Sequence, residues 1–284
     1  MRPRVAFACA YDPSPRYATQ LRILLATLES FARIPHADIV VHLVDEGQDR
    51  AVRRALAARD IDFRTIPRFG DGRYCNKISQ LDNPDLRAYD YVALCDLDLA
   101  FAAPIGRWIG AGDIAAKPVD LPNPPLERLT ALYAAAGFSA RPDVVACTNS
   151  PDPTYANNCN GGLYLIRAAM LPELGTAWKR WAHWVLDRPA AVAGFEMHAD
   201  QLAFGLAAFA LGARVTPLPL HANMPTHLPL DTYPLELQAP AVLHHHGRLA
   251  TDATLEPLGI AVVDERIAAV NRLLRQTPQP HWPD

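Results

Sequence analysis

The chain predicts an α/β fold with a mainly parallel central sheet flanked by helices. Two observations carry that expectation: short apolar runs alternate with helix-period segments, and turn or acidic residues stand directly after the runs. Val5 to Cys9 reads as a first strand, and Leu21, Leu24, Leu25, Leu28 and Phe31 fall on one helical face. Ile39 to Val44 is a second strand, Gln48 to Arg59 a helix and Ile61 to Ile66 a third strand; Tyr91 to Cys95 is a further one. Except for Ile61 to Ile66, these runs are largely apolar without strict alternation, as suits strands covered on both faces.

The second half is less regular. Residues 117–155 are proline-rich with one helix near Leu126 to Ala136, and read as an insertion over the sheet edge that could face an acceptor. Gly161 to Ile166 is a strand, Leu171 to Leu186 a helix and Ala199 to Leu211 a second, strongly apolar helix. Trp178, Trp181 and Trp184 share one helix at three-residue spacing, which favours packing over a sugar platform. Prolines make Pro217 to Pro240 extended and irregular. A strand at Ala241 to His245 and a C-terminal helix around 264–277, with Ile267, Val270 and Leu274 on one face, complete a single domain spanning 1–284.

Composition narrows the function. A hydrophobic fraction of 50% and a charged fraction of 20% support a sizeable core rather than disorder. With 27 basic and 30 acidic residues the net charge is -3, so there is no basic footprint for nucleic acid, and an anionic ligand has to be met locally. The apolar run Val5 to Ala10 is too short for a signal peptide, and Leu202 to Ala213 has the length of a buried helix, so no membrane span is expected. Five cysteines lack metal-finger spacing and read as reduced core thiols, which points to the cytoplasm.

Two motifs carry chemistry. Asp96-Leu97-Asp98 follows the buried strand YVALC, at the end of a strand where open α/β sheets gather ligands. Two carboxylates so close repel unless a cation sits with them, and a hard divalent ion completed by diphosphate oxygens meets that need; a solvated turn is the plain alternative. In VLHHHG, His244, His245 and His246 precede Gly247, whose missing side chain lets a ligand approach the backbone; a surface histidine loop is the alternative here. An imidazole beside carboxylates suits Mn²⁺ better than Mg²⁺.

In order along the chain, AFACAYDPSPRYATQL, NKISQL, YDYVALCDLDLAF, NCNGGLYLI, HADQLAF and VLHHHG resemble the retaining GT-A glycosyltransferases of family 8, the glycogenin-like and lipopolysaccharide galactosyltransferase-like enzymes. The likeness covers about Val5 to Arg248. It implies a Rossmann-like nucleotide-diphospho-sugar transferase fold, an Mn²⁺ or Mg²⁺ cofactor, a nucleotide-sugar donor of the UDP-sugar class, and a glycan, lipid or protein acceptor. Asp96, Asp98 and His244 would bind the metal, His244 because it stands three before Gly247. Ala10, Tyr17, Lys77, Leu97, Gly247 and Arg248 would meet the nucleotide, with Lys77 reaching the diphosphate. Asn160 and Gly162 would border the donor sugar. Asp200 and Gln201 would touch its hydroxyls and its reacting face, the catalytic positions.

Cys9 and Tyr11-Asp12 stand where acidic and asparagine residues often contact uridine in that family. Two other readings compete: a degenerate domain that binds a nucleotide-sugar without transferring it, and an aspartate-nucleophile phosphatase. The phosphatase fits poorly, because Ala100 stands two residues after the second Asp and the motif comes late in the chain.

Overall fold

The computed structural model describes residues 3–45 and 49–277. The expected alternation opens it: β1 (Val5–Tyr11), α1 (Pro15–Thr27), β2 (Ile39–Val44), α2 (Arg50–Ala57), β3 (Asp62–Ile66) and β4 (Tyr91–Cys95). Then follow β5 (Leu99–Phe101), β6 (Ile114–Pro118), α3 (Leu126–Ala135), β7 (Val144–Ala146), β8 (Pro153–Tyr155), β9 (Cys159–Arg167), α4 (Leu171–Leu186) and α5 (Ala199–Ala210). β10 (Val215–Pro217), β11 (Met224–Pro225), β12 (Val242–His244) and α6 (Ala261–Gln276) close the order. Seven strands form a mostly parallel sheet in the order β10-β6-β9-β4-β1-β2-β3, as expected for the fold class.

The chain divides into two compact units. One comprises Ala6–Ile66, Leu94–Arg107 and Pro219–Asp284. Here β1, β2 and β3 pair in parallel, and every residue of β2 is buried, which is why its sequence runs apolar without alternation. Helix α1 starts where Ser14 accepts the amide of Tyr17 and Pro15 occupies the first turn. Helix α2 is capped by Asp49, which accepts the Val52 amide; Gln48, where that helix was expected to begin, lies outside the described residues. A small sheet in the order β11-β12-β5 packs with α6 around Leu243, Tyr233, Val263 and Ile267.

The other unit comprises Met1–Val5, Pro67–Ala93 and Trp108–Leu218. β10 and β6 pair in parallel, β6 and β9 antiparallel, with a bulge between Ala116 and Pro118. Trp178 of α4 is fully buried and packs edge-on against Tyr164 and Phe204, while its indole N–H donates to the Asp200 carbonyl. Trp181 is also buried, so the tryptophan face is packing, as its spacing suggested.

The structure departs from the sequence reading in short elements. β1 extends two residues past the apolar run because Tyr11 is itself buried, its hydroxyl donating to Asp49. Residues 117–155 begin inside β6 with a buried Lys117, and the later part folds β7 against β8 as an antiparallel pair. The proline-rich stretch after Pro217 holds β11, which pairs in parallel with β12. Among the described residues no helix is long and apolar enough to cross a membrane. All five cysteines are buried and unbonded to one another, and burial pushes the Cys9 and Cys75 thiols up to about 12.

Candidate active site

Two groups of expected site residues come together, one in each unit. The first is built by β4, the Asp96-Leu97-Asp98 turn, β5 and β12. β12 pairs antiparallel with β5 so that His244 lies opposite Leu99, the residue after Asp98, and the His245 amide donates to the Asp98 carbonyl at 2.9 Å. Backbone pairing thus brings the histidine run to the carboxylate turn from the far side of the sequence.

His244 Nε2 stands 3.2 Å from Asp98 Oδ1. His246 joins them, and one donor atom from each of Asp98, His244 and His246 lies within 4.8 Å of the others, a grouping suited to a metal ion. Nδ1 of His244 and Nε2 of His246 are buried without a hydrogen-bond partner, which is costly unless something else engages them. His245 is not in this group; its Nδ1 accepts the Gly247 amide at 3.1 Å.

Electrostatics favours an ion here. Burial opposes the charge of Asp98, but His244, which also hydrogen-bonds to it, outweighs burial and holds the carboxyl well below its usual range. Burial pushes His245 down to about 4 and His246 down to about 2, so these rings stay neutral with a lone pair to offer. Neutral imidazoles beside an ionised carboxylate are the form a divalent ion requires. Asp96 lies in the same turn, where its charge helps to raise Cys9 and Cys95; it is not one of the three clustered donors.

The residues expected to meet a nucleotide have definite surroundings. Ala10 of β1 is paired in register with His42 of β2, Leu97 is buried inside the acidic turn, and Tyr17 is exposed in the first turn of α1. Gly247 has φ of 76°, and an added Cβ would meet Arg16 Nη2 at 2.6 Å. Only glycine permits both that backbone and that approach. Arg248 is turned to its own neighbours: it donates to the Thr226 carbonyl at 2.6 Å and pairs with Glu256 at 3.2 Å. Arg16, inside the same N-terminal motif as Tyr17, is a cation the sequence reading did not single out, since its approach to Gly247 joins segments remote in sequence.

The second group lies in the other unit. Asp200, in the first turn of α5, is almost wholly buried and pairs with Lys77 Nζ at 3.3 Å. Lys77 comes from a 3₁₀ segment at Tyr74–Asp82 and also donates to the Gly161 carbonyl at 3.2 Å. Asn160 donates from Nδ2 to Asp120 at 3.0 Å and accepts the Gly162 amide on Oδ1 at 2.9 Å. Asp120 in turn pairs with the buried Lys117 and accepts from Thr148. Lys117 and Asp120 were not read as site residues, since a lysine followed by proline looks like loop rather than buried strand.

Gly161 lies close to the side chains of this group. A Cβ there would come 3.1 Å from Lys77 Nζ, 3.3 Å from Gln201 Cγ and 3.5 Å from Asp200 Oδ2. Gly161→Ala is expected to displace Lys77 and Gln201 by a few tenths of an ångström while leaving stability within about 1 kcal/mol, because the crowded atoms belong to flexible side chains. If the group acts on substrate, turnover should fall about tenfold with the melting temperature nearly unchanged. Equal loss of both would reassign the glycine to folding alone.

The seven-strand, mostly parallel sheet with its flanking helices is the α/β architecture expected from the sequence, with an acidic turn after β4 and a histidine on β12 facing it. No family model and no curated protein matches the chain. Among solved structures, the galactosyltransferase LgtC in complex with donor and acceptor sugar analogs is similar, with a TM-score of 0.56 at 17% identity over 97% of this chain and 98% of that one. Mouse xyloside xylosyltransferase 1 matches at a TM-score of 0.52 and 14% identity, covering 84% of this chain and 97% of that one. The bifunctional glycosyltransferase WbbM matches at a TM-score of 0.53 and 18% identity over 99% of this chain, which spans 51% of WbbM. At these identities the likeness establishes the fold.

Proposed function

We propose that this chain is a metal-dependent glycosyltransferase that moves a sugar from a nucleotide-sugar, of the UDP-sugar class, to a glycan, lipid or protein acceptor with retention. The observation that carries this reading is the cluster of Asp98, His244 and His246, whose buried imidazole nitrogens lack partners, at the end of the acidic turn. The similar fold of LgtC, solved with donor and acceptor sugar analogs, supports it.

Asp96, Asp98 and His244 are the assigned metal ligands, Mn²⁺ being preferred to Mg²⁺ because an imidazole belongs to the set. When bound, the ion supplies positive charge to the diphosphate as it leaves. Ala10, Tyr17, Leu97, Gly247 and Arg248 are assigned to the nucleotide and Lys77 to its diphosphate. Asn160 and Gly162 are assigned to the donor sugar, Asp200 and Gln201 to its hydroxyls and reacting face. In the proposed transfer the bond from the anomeric carbon to the phosphate oxygen breaks, the acceptor oxygen bonds to that carbon on the same face, and the acceptor's proton passes to the departing phosphate. This route needs neither Asp200 nor Gln201 as a nucleophile. The single-domain reading over 1–284, with residues 117–155 on the acceptor side, belongs to the same proposal.

The test is thermal stability with UDP, GDP or no nucleotide, each with Mn²⁺ and with a chelator. A ligand at a hundred times its Kd adds about 2.7 kcal/mol to the native state. A rise of the midpoint with UDP and Mn²⁺ that the chelator abolishes is the expected result. No rise with either nucleotide would sink the donor assignment. Release of free sugar from the donor without acceptor separates a transferase from a binding domain, which would release none.

A further inference from the structure

We infer that the ion site uses two imidazoles, with His246 a direct ligand beside His244 and Asp98, and that this nitrogen-rich set selects a late first-row ion of the Co²⁺ or Zn²⁺ class over Mg²⁺. The inference rests on the ion-site reading above and adds a ligand and an ion preference to it.

Four observations place His246 in the set. Its donor atom is grouped with those of Asp98 and His244. Its Nε2 is buried without a hydrogen-bond partner. Its ring stacks on His244 at 3.8 Å between centroids and 18° between planes, with His227 against it at 3.8 Å and 52°, so the ring has little freedom to turn outward. Its backbone sits at φ of 51°, in the left-handed region where a side chain is a steric cost and glycine is not. A residue kept in that conformation against its backbone preference is a sign that its side chain does something.

The chemistry sets the ion preference. Mg²⁺ wants oxygen ligands in near-ideal octahedral geometry and sheds water reluctantly. Each imidazole that replaces an oxygen moves the preference along the series from Mn²⁺ toward Co²⁺, Ni²⁺ and Zn²⁺. One imidazole and two carboxylates suit Mn²⁺; a second imidazole favours Co²⁺ and Zn²⁺ more strongly. His245 lies outside the clustered donors and its Nδ1 accepts the Gly247 amide, so the three adjacent histidines divide into two ligands and one turn-former.

The experiment uses the full chain stripped of metal with a chelator and dialysed. Co²⁺ alone is titrated in, followed by visible d–d absorption and by calorimetry, with and without a large excess of Mg²⁺. Wild type is expected to bind Co²⁺ about 100-fold more tightly than Mg²⁺, with the spectrum unaltered by the excess. His246→Gly is expected to weaken Co²⁺ at least about tenfold and to change the spectrum. Its metal-free melting temperature should equal or exceed that of wild type, since glycine relieves the left-handed backbone. Asp98→Asn is the control for the site itself.

If Asp98→Asn abolishes Co²⁺ binding while His246→Gly leaves affinity and spectrum as in wild type, His246 is not a ligand and this inference fails alone. If wild type binds no Co²⁺, both this inference and the ion-site reading fail. Mg²⁺ displacing Co²⁺ at equal concentration would overturn the ion preference.

Discussion

Asp98→Asn is expected to reduce transfer by roughly 10²–10³-fold while the chain still folds, the scale on which removal of a group that stabilises developing charge is felt. The substitution keeps the shape of the side chain and its hydrogen-bonding reach toward His244 Nε2, now at 3.2 Å. What it removes is the negative charge that His244 holds in place. Its effect should therefore fall on the reaction and on metal affinity more than on the melting temperature. Release of nucleoside diphosphate from donor, with acceptor present and Mn²⁺ supplied, is the measurement. Turnover equal to wild type would remove the metal from the mechanism.

Lys77→Ala should damage folding as well as transfer. The Asp200 side chain is 2% exposed, and the Lys77 ammonium at 3.3 Å faces it. Truncating one partner of a buried charged pair costs about 3–5 kcal/mol. A drop of several degrees in the melting temperature is expected. Replacing both residues together, Lys77→Met with Asp200→Leu, should recover most of that stability, because the unpaired charge is gone, yet recover no transfer. A double-mutant cycle on urea midpoints, read beside turnover, tests this. Full activity in the double variant would show that the pair serves folding only.

Much of the fold was legible because buried strands and helices carry their own periods. The all-buried β2 reads as one apolar run, and α4 spans the residues its spacing marked. Elements of two or three residues such as β5, β7, β8, β10 and β11 escaped, being too short to show a period, and Lys117 and Pro118 disguise the end of β6. The Lys77, Asp200 and Gly161 group drew on three separate motifs that the family resemblance had ordered, and the structure brings those three together. Lys117 and Asp120 lay hidden because Pro118 masks the strand that carries the lysine, and Arg16, though inside a quoted motif, meets Gly247 only through the fold.

The sequence by itself determined the alternating α/β plan, the position of the acidic turn after a buried strand, and the presence of a histidine run near the end, all properties of local composition and spacing. Which histidine meets Asp98 was decided only by the tertiary structure, through the antiparallel register of β12 on β5 that sets His244 opposite Leu99. Three consecutive histidines look alike as sequence. They differ once the strand ends at His244, His245 is drawn to the Gly247 amide, and the left-handed turn at His246 returns its ring to the carboxylate, because register and turn geometry follow from the packing of the whole unit and not from neighbouring residues.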